Sequence, residues 1–190
     1  MRGILCLTLI AALTPALNGC AAPAAGGKTT NATATDKRRG PGVLLDDEAI
    51  ELHGLNRMHE LFRQDSVSVS VTSFNHNVLL TGQAPDEATR AKIEETIKGI
   101  PKVGTVYNQI TIAAVQSVAS EVKDSAITAN VKTRLLTGSG VNFIHVKVVT
   151  EGSVVYLMGL LTHSEAEAAA QTAATTAGVL KVVKLFEYTD

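Results

Sequence analysis

The chain has 190 residues, of which 45% are hydrophobic and only 4% aromatic, with no tryptophan. Its 17 lysines and arginines almost balance 18 acidic residues, which gives a formal net charge of −1. This composition indicates a globular protein and excludes two classes: nucleic-acid-binding proteins, which need a concentrated basic surface, and proteins with aromatic-lined cofactor pockets.

The first predicted element is a signal peptide over residues 1–19. Arg2 precedes an apolar run, residues 4–17, which is shorter than the roughly 20 apolar residues of a membrane-spanning helix. The run ends in Leu-Asn-Gly-Cys, which resembles a bacterial lipoprotein signal. The resemblance implies lipidation of Cys20 and, because Ala21 rather than aspartate follows, transport to the outer membrane. The alternative is an ordinary secretory signal, with Cys20 an incidental thiol.

Cysteine usage favours the lipid anchor. Removal of the signal peptide also removes Cys6, so Cys20 becomes the only cysteine and no internal disulfide can form. A single exported thiol is a liability in an oxidising compartment unless it is covalently occupied, and acylation would occupy it.

Residues 20–45 are predicted to be a flexible tether, because this Ala-, Gly-, Thr- and Pro-containing segment cannot bury enough apolar surface to fold. It carries a basic cluster at Lys37, Arg38 and Arg39. Two interpretations stay open: the cluster attracts anionic headgroups, or it belongs to a solubilising linker.

The rest of the chain contains a duplicated unit. Valines 67, 69 and 71 recur as aliphatic residues 77 positions later, and so does the pattern that ends at Gly82, which recurs at Gly159. The two copies are residues 46–112 and 118–190. In each copy the periodicity predicts a helix, a two-stranded hairpin, a second helix and a last strand. We expect Asp46 and Asp47 to cap the first helix, and Ser164 to cap the second helix of copy two.

The crossover helix between the second and third strands predicts that these strands pair in parallel. Each copy is then an α+β unit with a small three-stranded mixed sheet and two helices on one face. This αββαβ order, together with the glycine that ends the hairpin and the later Gly-hydrophobic-x-x-Val at 99–103 and 178–182, resembles the BON domain. Two such units behind a lipoprotein signal are similar to the dual-BON outer-membrane lipoproteins of Gram-negative bacteria. That resemblance implies a periplasm-facing, non-enzymatic protein that associates with phospholipid and supports envelope integrity.

The sequence shows no catalytic constellation. The five histidines lack the spacing of metal ligands, and no nucleophile elbow surrounds the adjacent pair His163 and Ser164. We therefore expect no enzymatic activity, no metal and no cofactor.

Charge distinguishes the two copies. Copy one has six basic and ten acidic residues, whereas copy two has six and seven, so an anionic bilayer repels copy two less. The first helix of copy two also places cations beside an apolar stripe. The candidate phospholipid-binding residues are Lys123, Ile127, Val131, Lys132, Arg134, Leu136, Gly159 and Leu160.

Several of these candidates have a structural alternative. Ile127, Val131 and Leu135 share the stripe that would pack on the sheet, and Gly159 can be explained by backbone geometry. The functional prediction is a lipid-anchored envelope-integrity protein whose second BON domain binds anionic phospholipid. The alternative function is a protein-binding adaptor in outer-membrane assembly. The short connection between the copies also predicts that they contact each other.

Overall fold

The computed structural model describes residues 38–62, 67–114, 118–138 and 140–190. The predicted signal peptide, Cys20 and most of the predicted tether lie outside these residues. Within them, each copy has the predicted order of elements.

The first domain begins with helix α1 (Pro41–Leu61), followed by strands β1 (Ser68–Phe74) and β2 (Asn77–Ala84). Helix α2 (Glu87–Lys98) then leads to strand β3 (Val106–Ile112). The second domain repeats this order with helix α3 (Val118–Gly138), a short 3₁₀ helix (Phe143–His145), strands β4 (Val146–Glu151) and β5 (Val154–Leu161), helix α4 (His163–Ala174) and strand β6 (Lys181–Tyr188).

Both sheets have the predicted mixed topology. In the first sheet β2 is central, antiparallel to β1 and parallel to β3; in the second, β5 is antiparallel to β4 and parallel to β6. The two helices of each domain pack on one face of its sheet. In the second domain Val131 of α3, Ala169 of α4 and Leu157 of β5 belong to one buried cluster.

Two predicted helix caps are wrong. Helix α1 begins at Pro41, five residues before Asp46, because proline is well suited to the first turn of a helix. Asp47 is buried within the helix and binds the hairpin instead. Helix α4 is capped by Thr162 rather than Ser164, since the Thr162 hydroxyl and the Glu165 carboxylate form a reciprocal capping box.

The predicted contact between the two copies is confirmed, and it is a packing of sheet against sheet. The sheet faces that the helices leave uncovered share one apolar cluster, in which Phe74 and Leu79 of the first domain lie with Tyr156 and Met158 of the second. Gln83 donates a hydrogen bond across this interface to Glu151 at 2.6 Å. Each domain thus covers the open sheet face of the other.

Residues 38–45 do not form the flexible tether that was predicted: residues 41–45 belong to α1, and Arg38 and Arg39 bind the folded domains. Arg38 donates to both carboxylate oxygens of Glu165, at 2.7 and 2.9 Å, and to the carbonyl oxygen of Leu160 at 2.8 Å. Arg39 donates to Asp47 at 3.1 Å, and its guanidinium lies 3.7 Å from the centre of the Phe74 ring. These two arginines therefore hold the chain against both domains, because carboxylates of the folded domains attract them.

Candidate lipid-binding surface

Helix α3 divides into a buried and an exposed side. Ile127, Val131 and Leu135 follow each other at four-residue spacing and are only 3%, 0% and 1% exposed, so they form the stripe that packs on the second sheet. The structural alternative is therefore correct for Ile127 and Val131. Neither side chain reaches the surface, and we withdraw both as lipid contacts.

The opposite side of α3 carries an exposed apolar ridge. Val122 and Leu136 are 64% and 61% exposed, and Ala126 and Ala129 lie between them on the same side of the helix. The residues recur at three-, four- and seven-residue spacing, which places them in one line along the helix. We call Val122, Ala126, Ala129 and Leu136 the α3 ridge. It is a partially apolar face without a partner in the described residues.

Lysines lie on both sides of the α3 ridge. At 100° per residue, Lys123 and Lys132 fall on opposite flanks of the line through Val122 and Leu136. Both lysines are exposed, and neither forms an ion pair with any residue that the structure describes. Their methylene chains can therefore lie along the apolar ridge while the ammonium groups contact an anionic surface.

Unlike Lys123 and Lys132, Arg134 is held by hydrogen bonds within the second domain. Its guanidinium donates to the Thr172 carbonyl at 3.2 Å and to the hydroxyls of Thr175 and Thr176 at 3.0 and 2.9 Å. These bonds tie α3 to the end of α4. The side chain of Arg134 thus has a structural role, and its positive charge adds to the electrostatic potential around α3.

Gly159 and Leu160 also lie away from the α3 ridge. Gly159 is in the middle of the sheet, where an added Cβ would lie 2.7 Å from the carbonyl oxygen of His145. Leu160 packs against the interdomain apolar cluster, and its carbonyl accepts from Arg38. The close approach of the backbone explains the glycine at position 159, in agreement with the structural alternative given above. We therefore withdraw both Gly159 and Leu160 as lipid contacts.

Two exposed apolar residues of the second domain, Val122 and Phe143, are absent from the residues predicted from the sequence. Val122 could have been found from helical periodicity, because it lies nine residues, or two and a half turns, before Val131 and therefore on the opposite side of the helix. Phe143 lies in the 3₁₀ helix that precedes β4 and is 42% exposed.

The equivalent helix of the first domain, α1, lacks these flanking lysines. Residues 77 positions before Lys123 and Lys132 are Asp46 and Leu55. Asp46 binds Lys102 at 2.6 Å and contacts His76 at 3.2 Å, and chiefly the hydrogen bond from Lys102 lowers the pKa of the Asp46 carboxyl. The two first helices thus share an exposed apolar side, but only α3 flanks it with lysines.

A groove of about 470 Å³ opens between the two domains beside α3. We call it the interdomain groove. Its lining includes Leu44, Glu48, Lys132, Phe143, Ile144 and Lys147.

The described residues contain neither a membrane-spanning helix nor a cluster of metal ligands. No helix there is both long and apolar enough to cross a membrane. Nor do the described ranges contain a cluster of three or more side chains suited to a metal ion.

Comparisons with known proteins agree with this architecture. The model of the BON domain matches residues 46–114 and 123–190. The chain is 34% identical over 185 residues to the outer membrane lipoprotein DolP of Haemophilus influenzae, covering 97% of this chain and 96% of that protein. It is 34% identical over 153 residues to the 21 kDa hemolysin of Actinobacillus pleuropneumoniae, covering 79% and 78% of the two chains. Osmotically-inducible protein Y of Escherichia coli strain K12 is 29% identical over 163 residues, with 83% and 81% covered.

Proposed function

This chain is an outer-membrane lipoprotein that belongs to the BON-domain family, and from this premise we propose that its second domain binds anionic phospholipid through helix α3. The protein is anchored at Cys20, faces the periplasm and supports envelope integrity without catalysing a reaction. The observation that carries the proposal is the α3 ridge with a lysine on each flank.

Binding of the second domain to the membrane combines two weak attractions. An amphipathic helix can lie in the headgroup region when its apolar side enters the acyl boundary and its cations contact anionic lipid. Each lysine near an anionic surface contributes about 1 kcal/mol at physiological ionic strength. The ridge is short and contains two alanines, so binding by one domain is weak. The anchor at Cys20 makes weak binding sufficient, since it keeps the domain at the membrane.

Vesicle sedimentation tests the proposal. The chain from residue 20 onwards, carrying Cys20→Ser so that it lacks acyl groups, is mixed with vesicles of graded phosphatidylglycerol content. Lys123→Glu and Lys132→Glu should each lower the bound fraction several-fold, and Leu136→Ser should lower it at every lipid composition. Lys181→Glu is the matched control, because Lys181 is an exposed lysine of the same domain that lies on β6.

The salt dependence adds a second criterion. Binding should weaken as ionic strength rises, because the attraction between lysines and headgroups is screened over about 10 Å at 0.1 M salt. Equal loss of binding in Lys132→Glu and Lys181→Glu would show that only net charge matters, and the proposal for α3 would then be wrong.

A second candidate function, that of a protein-binding adaptor in outer-membrane assembly, is favoured by helix α1. Leu52 and Leu55 are exposed on α1 and line a groove beside the edge strand β1. Because the first domain is acidic, an anionic bilayer repels this face, and a protein partner fits it better. Crosslinking that recovers one stoichiometric protein at every lipid composition, and that Leu52→Lys abolishes, would support this function.

A further inference from the structure

The interdomain groove has the size of a ligand site and an apolar mouth. Its volume of about 470 Å³ lies within the usual range for small-molecule pockets. Leu44 of α1 belongs to the first domain and Phe143 of the 3₁₀ helix to the second; both line the groove, and they are 38% and 42% exposed. Ile144 and Leu135 extend the apolar wall from the second domain.

The charges inside the groove are mostly paired. Arg39 binds Asp47 at 3.1 Å, and Lys147 binds Glu51 at 2.7 Å. Glu48 is a third acid of the lining. The interior lining thus holds three carboxylates, Asp47, Glu48 and Glu51, against two cations, Arg39 and Lys147. An anionic headgroup would meet a net negative charge there, whereas an uncharged chain is not repelled and can contact the apolar side chains.

Lys132 links the groove to the α3 ridge. It lines the groove and also flanks the ridge, and no ion pair to it is found among the described residues. A phosphate that contacts Lys132 from outside would thus lie at the mouth, with Leu44 and Phe143 within the same lining.

We propose that the interdomain groove holds one acyl chain of an anionic phospholipid whose headgroup contacts Lys132. This inference rests on the proposed function, and it adds that the protein takes up part of a single lipid molecule. Domain 1 then takes part in binding, since Leu44 supplies one side of the mouth. Only the chain enters, because the interior acids disfavour the phosphate.

Short-chain lipids separate the groove from the membrane surface. The chain from residue 20 onwards, with Cys20→Ser and ¹⁵N labelling, is titrated with dibutyryl- and dihexanoyl-phosphatidylglycerol below their critical micelle concentrations. We expect amide shifts at Leu44 and Phe143, and tighter binding of the longer lipid by about fourfold for each methylene that enters the groove.

Leu44→Ser and Phe143→Ser should remove this chain-length dependence. Leu45→Ser is the matched control, because Leu45 is the next residue of α1, is exposed and does not line the groove. Well-dispersed amide spectra of the variants confirm that they are folded.

The outcomes distinguish the two proposals. Chain-length dependence that is absent in the wild-type chain, or unchanged in Leu44→Ser and Phe143→Ser, overturns the acyl-chain site, even if vesicles still bind through Lys123 and Lys132. Shifts confined to the α3 ridge overturn it as well. Failure of the proposed function would appear separately, as vesicle binding that does not respond to those lysines.

Discussion

Asp47 and Asp124, 77 residues apart, hold the hairpins of the two domains through the same pair of backbone hydrogen bonds. Asp47 accepts from the amides of Asn75 and His76 at 2.9 and 2.8 Å. Asp124 accepts from the amides of Gly152 and Ser153, both at 2.8 Å. All four turn residues have positive φ, as two-residue hairpin loops of the primed type require. The carboxylate stabilises a turn in which three of the four residues are not glycine.

Asp124→Ala should destabilise the second domain. The substitution leaves two turn amides without their acceptor, and each loss costs about 1–3 kcal/mol for a buried group. For a chain of this size, 1 kcal/mol corresponds to about 2–4 °C in melting temperature, so thermal denaturation followed by circular dichroism should show a fall of several degrees. Glu95→Ala, at an exposed position of α2, is the control and should leave the melting temperature nearly unchanged. An equal effect of both substitutions would contradict the role of Asp124.

Gly159→Ala should destabilise the fold. The new methyl group would lie 2.7 Å from the His145 carbonyl oxygen, so the sheet has to shift, at a cost of about 1–3 kcal/mol. Gly42→Ala is the matched control, since its methyl group would meet nothing within 4 Å and alanine favours the helix by about 1 kcal/mol. Chemical denaturation of the two variants should shift in opposite directions. If Gly159→Ala lowered vesicle binding at full stability, Gly159 would return as a lipid contact.

The ion pair of Arg38 and Glu165 should weaken in acid. Mainly the Arg38 guanidinium lowers the pKa of Glu165 from 4.5 to about 2. Because the folded-state pKa is depressed, the pair stabilises the protein above pH 4.5, and this contribution is lost as the pH falls from 4.5 towards 2. Glu165→Gln should lower stability by about 1 kcal/mol at pH 7 and have little effect near pH 2.

Limited proteolysis measures the same ion pair locally. Loss of the pair should speed cleavage of the chain before Pro41 in both Arg38→Ala and Glu165→Gln. Glu167→Gln is the control, because Glu167 on the same helix binds Lys184 instead. Cleavage rates that are equal in all three variants would show that Arg38 does not hold the segment.

Glu151→Gln should stabilise the protein at neutral pH. Burial at the domain interface raises the pKa of Glu151, despite the hydrogen bond from Gln83. With a raised folded-state pKa, ionisation opposes folding, so stability falls as the pH rises from 4.5 through the folded-state pKa. The glutamine variant keeps a side-chain oxygen for Gln83 and removes this fall. Melting temperatures between pH 4 and 8 should therefore converge at pH 4 and favour the variant at pH 8. A variant that is less stable at pH 8 would show that the charge is needed.

The periodicity of apolar residues correctly predicted the order of helices and strands within each domain. The alternation of valines 67, 69 and 71 predicted a strand, and the crossover helix predicted the parallel pairing, because both follow from period and handedness within one domain. The repeat of 77 residues predicted that the copies share one fold. It could not predict that Asp47 is an interior acceptor, since an aspartate near a helix start is equally typical of a cap.

For the candidate site, the residues that share helix α3 could be read from the sequence, whereas the exposed side of the helix depends on how the domain packs. Both Ile127 and Leu136 are apolar residues at helical spacing, but the sheet covers Ile127 alone. The positions of Arg38, Leu44 and Phe143 likewise depend on how the sheets pack on each other. Helical and strand periodicity follows from backbone geometry and can be recognised in neighbouring residues. Burial and the interdomain groove instead arise from contacts between residues about 100 positions apart.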